Sequence, residues 1–174
     1  MKLASYKSGR DGKLYVVSSD LSRAVSAADI APTMQAALDD WAALSPRLRA
    51  LHSALENGTA ANSEAFDQSQ CESPLPRAYQ VADGSAYLNH VELVRKARGA
   101  EMPESFLTDP LMYQAVSDTI LAPSEDIAVI SEEFGIDFEG EIAVITRDVP
   151  MGVSAEEAAD YIVLVMTMND VSLR

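Results

Sequence analysis

Apolar positions change their period several times along the chain, and each change predicts an element. Residues 2–6 and 13–18 are short runs of strand formers, and the connecting Lys7-Ser8-Gly9-Arg10-Asp11-Gly12 carries two glycines able to take the positive φ angles of a hairpin turn. An N-terminal β-hairpin is predicted. After Pro32, Thr33 suits a helix N-cap, and Met34, Ala37, Leu38, Trp41 and Leu44 follow the i, i+3, i+4, i+7 spacing of one apolar helix face. Pro46 is expected to break or restart that helix. The second piece, 47–57, places Leu48, Leu51 and Leu55 on one side and ends at Gly58, a residue suited to a C-terminal cap.

The apolar period disappears over 58–76, where Asn, Ser, Glu, Gln and Pro predict an exposed connection. A boundary near residue 76 follows, giving an N-terminal α+β subdomain with its linker at 1–76 and a second region at 77–174. In that second region Tyr87, Val91 and Val94 recur at helical spacing, predicting a helix over 85–98 with Lys96 and Arg98 at its C-terminal end. Strand-like runs follow at 127–130, 138–145 and 161–168, the last reading as a buried strand. Between the last two, Ser154 followed by Glu156 and Glu157 predicts a short capped helix. The fold class is α+β, and no internal repeat interrupts it.

Composition narrows the functions available to such a fold. At 174 residues, 48% apolar and 23% charged, the chain matches a soluble globular protein. Its 27 acidic and 13 basic side chains give a formal charge of -14, which repels phosphate backbones and anionic lipid, so neither nucleic acid nor membrane is an expected partner. Cys71 is the single cysteine, excluding an internal disulfide and a cysteine-based zinc site and fitting a reducing cytoplasm. Residues 1–17 contain no uninterrupted apolar stretch of signal-peptide type, and the run at 161–168 is well short of the ~20 residues that span a bilayer. The expected location is cytoplasmic.

Candidate chemistry is concentrated in carboxylates. In Phe138-Glu139-Gly140-Glu141-Ile142 the two glutamates are two residues apart, so on a strand both leave the same face. Like charges held together on a partly buried face are costly unless a proton or a cation intervenes, and hard oxygen donors favour Mg²⁺, Ca²⁺ or Mn²⁺ over zinc. The alternation with Phe138 and Ile142 equally fits an ordinary amphipathic strand, and both readings stay open on spacing alone. Asp170 follows the run at 161–168 and stands four residues before Arg174, with which it would form an ion pair in a helical turn. Asp83 precedes the helix that carries His90 and is placed to cap it, while a lone histidine on a half-buried helix serves either packing or proton transfer.

Taken together, Asp83-Gly-Ser-Ala-Tyr-Leu-Asn-His90, Phe138-Glu139-Gly-Glu141 and Asn169-Asp170-Val-Ser-Leu-Arg174 resemble, in this order, the fumarylacetoacetate hydrolase family. Met1-Lys2-Leu3-Ala4-Ser5-Tyr6 and Ala36-Ala37-Leu38-Asp39-Asp40-Trp41 resemble its bacterial members, so the likeness covers essentially the whole chain. The resemblance implies one divalent ion, most naturally Mg²⁺ with Ca²⁺ or Mn²⁺ as alternatives, held by Asp83, Glu139, Glu141 and Asp170. It implies His90 as general base, seven residues after the first ligand, and Arg95, Tyr113 and Arg174 as contacts to a small keto-acid substrate. The implied reaction is hydrolysis of a C–C bond in a β-diketo acid of the fumarylacetoacetate or acylpyruvate type, as in aromatic amino acid catabolism. Decarboxylation, hydration or isomerisation of a related keto acid is the alternative within the family.

The resemblance further implies a homodimer and the first part of a mixed β-rich catalytic fold over 77–174. Members run to about twice this length, and the remaining half supplies strands, a lysine and a glutamate that orients the histidine. A truncated, noncatalytic cation-binding or partner-binding fragment is therefore the second expectation. After Tyr113 and Gln114 the chain has Ala115-Val116 where glycines are expected, a departure that bears on substrate choice.

Overall fold

A computed structural model describes residues 1–109, 111–115 and 120–174. These fall into two compact units, one formed by Met1–Pro76 together with Leu121–Arg174 and the other by Arg77–Ile120. The architecture is mixed α and β, as the sequence predicts.

In the first unit, β1 (Lys2–Tyr6) and β2 (Lys13–Val17) form the predicted antiparallel hairpin, with Gly9 and Gly12 both at positive φ. Gly12 is needed there twice over, since a Cβ would sit 3.0 Å from that of Ser5. Two short strands that the apolar pattern did not mark, β3 (Arg23–Ser26) and β4 (Glu64–Ala65), extend this to a four-stranded sheet in the order β1-β2-β3-β4. Helix α1 (Met34–Asp39) is capped by Thr33, whose Oγ1 accepts from the Ala36 amide at 3.1 Å.

The break falls at Asp40 rather than Pro46. Helix α2 (Trp41–Glu56) runs straight through the proline. Proline inside a helix costs about 3 kcal/mol through the missing N–H and its ring. Pro46 and Ala42, whose carbonyl loses its donor, are both exposed, so water can satisfy that carbonyl. On the opposite side Leu48 and Leu55 are wholly buried, each worth roughly 1.5–3 kcal/mol, which offsets the defect. These leucines meet Leu14, Val16, Val25, Met34 and Ala37 in the core, against which Ile145, Val163 and Leu164 pack from the later strands.

Those later strands are β7 (Ile136–Asp137), β8 (Gly140–Thr146), β9 (Ile162–Asn169) and β10 (Ser172–Leu173). β8 pairs with β9 antiparallel, with a register shift at Ile145/Thr146, and β7 pairs with β10. Helix α4 (Ala155–Ala158) lies between β8 and β9 with a complete capping box, Ser154 Oγ accepting from the Glu157 amide and the Glu157 side chain accepting from the Ser154 amide. Two expectations are corrected. Residues 127–130 form no strand: they pair with no strand among the described residues, and Ile130 is 94% exposed. The run at 162–169 is not buried throughout but alternates, with Val165 66% exposed, matching the outward Ile142 of β8 at 73%.

The second unit contains β5 (Val81–Gly84) paired antiparallel with β6 (Met112–Ala115), and α3 (Leu88–Ala97). The helix starts at Leu88, three residues later than predicted, because β5 and the turn after it take up the residues before it. The expected departure at Ala115-Val116 lies partly outside the described residues, which include Ala115 and not Val116.

Candidate metal centre

The carboxylates converge where two chain corners meet. Glu139 stands in the corner between β7 and β8, one residue before the regular strand, and Glu141 is the second residue of β8. Asp170 occupies the matching corner between β9 and β10. Register brings the corners together: Gly140 faces Asn169, Glu141 faces Met168, and the Asp170 amide donates to the Glu139 carbonyl at 3.0 Å. Glu139, Glu141 and Asp170 each present a carboxylate oxygen within 4.8 Å of the others, and all three are half-buried. The strand reading of Glu139-Gly140-Glu141 thus needs one correction, since Glu139 is on the corner, while the shared side of the two glutamates stands.

The donor set fits a hard divalent ion. Oxygens on opposite sides of Ca²⁺ stand ~4.6–5.2 Å apart and those around Mg²⁺ at most ~4.2 Å, so three oxygens inside 4.8 Å span the range that such ions require. Three carboxylates and no sulfur or imidazole in the cluster favour Mg²⁺, Ca²⁺ or Mn²⁺.

Arg174 adds a cation of the chain's own. Its Nε donates to Asp137 Oδ2 at 2.9 Å and its Nη2 donates to Glu139 Oε1. Both carboxylates, Asp137 foremost, push the guanidinium pKa up from its ordinary value. The stretch 170–174 is extended through β10 rather than helical, which places Arg174 on Asp137 and Glu139 instead of in a helical turn with Asp170. Asp137 was not singled out from the sequence. Its signal was present: Asp137, Glu139 and Glu141 occupy alternate positions of Ile136-Asp137-Phe138-Glu139-Gly140-Glu141.

The other expected site residues lie in the second unit. Asp83 is on β5 directly opposite Tyr113 of β6, and Ser85 Oγ donates to its Oδ2 at 3.4 Å. It does not cap α3, whose N-cap is Tyr87 without a side-chain bond. His90 lies in the first turn of α3 and is half-buried, beside the buried Val91. Arg95 lies in the last turn, its Nη1 donating to the Glu101 carbonyl at 2.9 Å. Tyr113 is 59% exposed.

A mixed α/β fold with a carboxylate cluster built at two strand corners defines a class of oxygen-ligand site, and the comparisons make it specific. The family model for the fumarylacetoacetate hydrolase C-terminal domain matches residues 80–174, and the model for fumarylacetoacetase N-terminal domain 2 matches residues 1–77. The chain belongs to the fumarylacetoacetate hydrolase family. Among curated proteins none matches it. A crystal structure of a Mycobacterium smegmatis protein described as HpcE is similar with a TM-score of 0.68 at 20% identity, covering 100% of this chain and 56% of that one. The likeness bears on the fold, and the chain spans little more than half that relative's length. No helix among the described residues is long and apolar enough to cross a membrane.

Proposed function

We propose that this chain carries the metal-binding part of a hydrolase that cleaves a C–C bond in a β-diketo acid, of the fumarylacetoacetate or acylpyruvate type. The observation that carries the reading is the convergence of Glu139, Glu141 and Asp170 within 4.8 Å in a member of this family. Those three side chains, with Asp83 as fourth ligand by the family pattern, would hold a divalent ion, Mg²⁺ first. When bound, such an ion supplies Lewis-acid stabilisation of the enolate oxygen that forms as the C–C bond breaks.

The remaining steps belong to side chains. His90 takes a proton from water, whose oxygen bonds to the acyl carbonyl carbon. The bond to the neighbouring carbon then breaks, its electron pair passes to the enolate, and protonation of that carbon releases pyruvate or its analogue beside a carboxylic acid. Arg95 and Tyr113 are assigned to the substrate's carboxylate and keto oxygens. A homodimer in the cytoplasm is the setting proposed.

Incubating the chain with an acylpyruvate and Mg²⁺ tests this. Pyruvate release that stops on chelation and falls at least ~100-fold in His90→Ala is expected. Release that ignores chelation overturns the metal-dependent reading. One second reading rests on the same carboxylate trio, a noncatalytic segment that binds a cation. Cation binding without turnover would select it.

A further inference from the structure

We propose that Arg174 is a positioning residue of the acidic centre, an internal counter-ion that holds Glu139 in the cation-free protein and gives it up when a divalent ion binds. The proposal rests on the metal-binding reading above and adds to it an exchange of one cation for another.

Several features direct Arg174 to this place. β10 pairs with β7 so that Ser172 faces Asp137 and Leu173 faces Ile136, which delivers the next residue to the end of the turn before β7. There the Arg174 amide donates to the carbonyls of Phe134 and Gly135 at 2.9 and 3.0 Å. Gly135 permits the approach: its φ is +63°, and a Cβ on it would lie 3.3 Å from both the Cβ and the carbonyl oxygen of Arg174. The backbone is therefore pinned while the side chain reaches back along the acidic row, Nε to Asp137 and Nη2 to Glu139. Asp137 stands outside the trio, so the guanidinium keeps one partner when it releases the other.

The electrostatic consequence is simple. Glu139, Glu141 and Asp170 carry three negative charges at close range, and assembling them without a cation is unfavourable. Arg174 places one positive charge on the edge of that set and lowers the cost of the cation-free arrangement. The same charge opposes an incoming divalent ion, because it repels the ion and engages a Glu139 oxygen. A unit charge ~6 Å from a doubly charged ion, acting through an effective dielectric of ~40–80, corresponds to about a ten- to hundred-fold effect on affinity.

Titration of Mg²⁺ or Mn²⁺ into the chain, followed by calorimetry, gives the test. Arg174→Gln is expected to bind the ion about ten- to hundred-fold more tightly, while its cation-free form melts at a lower temperature and is stabilised more by the ion. Arg174→Lys keeps the charge and is expected to bind as the unaltered chain does. An Arg174→Gln affinity equal to or weaker than that of the unaltered chain overturns the exchange. A measurement on the unaltered chain covers failure of the variant to fold: the Arg174 guanidinium nitrogen resonance should shift during Mg²⁺ titration with the midpoint of the binding isotherm. An unmoved resonance during confirmed binding overturns the inference alone, and absence of binding overturns the metal reading together with it.

Discussion

Asp20 shows how much a single side chain can organise. Its Oδ1 accepts from Ser18 Oγ at 2.7 Å, from Ser22 Oγ at 2.7 Å and from the Ser22 amide at 3.0 Å, closing the turn between β2 and β3. These donors, the Ser18 hydroxyl first, hold its carboxyl far below the ordinary value of 3.8. A folded-state pKa that is depressed contributes stability above the unfolded value, and that contribution is lost as pH falls from there towards the folded one. Asp20→Asn should accordingly lower the melting temperature at pH 7, and the gap should narrow as the pH falls below 3.8. Melting curves at pH 7 and pH 3 check this, and a gap of constant size would refute it. At the acidic centre the residue types were legible before the geometry was. Glu139, Glu141 and Asp170 stood out by spacing and family pattern, whereas Asp137 and the true partners of Arg174 did not. Both depend on the pairing of β7 with β10, a contact between residues 35 or more positions apart that no local period encodes.

Elements specified locally were the most readable. The β1-β2 hairpin, the Thr33 cap and the Ser154 capping box each follow from a few adjacent residues, and all three are present. Elements that exist only through distant pairing were not readable: β4 is two residues, Glu64 and Ala65, joined to β3 across some 40 positions. The converse error occurred at 127–130, where an apolar run had no strand to pair with among the described residues. Pro46 was misread because propensity is local, whereas the burial that outweighs it is not. The two faces of the molecule's apolar elements can be separated by mutation. Leu48→Ala, in the core, is expected to cost about 2–5 kcal/mol, whereas Ile142→Lys on the outward face of β8 should stay within about 0.5 kcal/mol. Urea denaturation of both variants checks the pair, and a loss for Ile142→Lys as large as that for Leu48→Ala would show that the outward face is buried in solution.

At the scale of the whole molecule, charge, family and site converge on a cation. The formal charge of -14 is only a background attraction for divalent ions, since dissolved salt screens exposed charges beyond roughly 10 Å. Selectivity must come from the few oxygens that stand close together, and the pairing of β8 with β9 is what sets them so. Family membership covers both regions of the chain, 1–77 and 80–174, and Glu139, Glu141 and Asp170 all lie in the second. Calorimetric titration of Mn²⁺ into the unaltered chain, Glu139→Ala and Asp170→Ala therefore bears most directly on the centre. The unaltered chain should show saturable binding at one site, and each substitution should weaken it by at least ~10-fold. Equal affinity in all three proteins, or no saturable binding in the first, would contradict the assignment of Glu139, Glu141 and Asp170 as a metal centre.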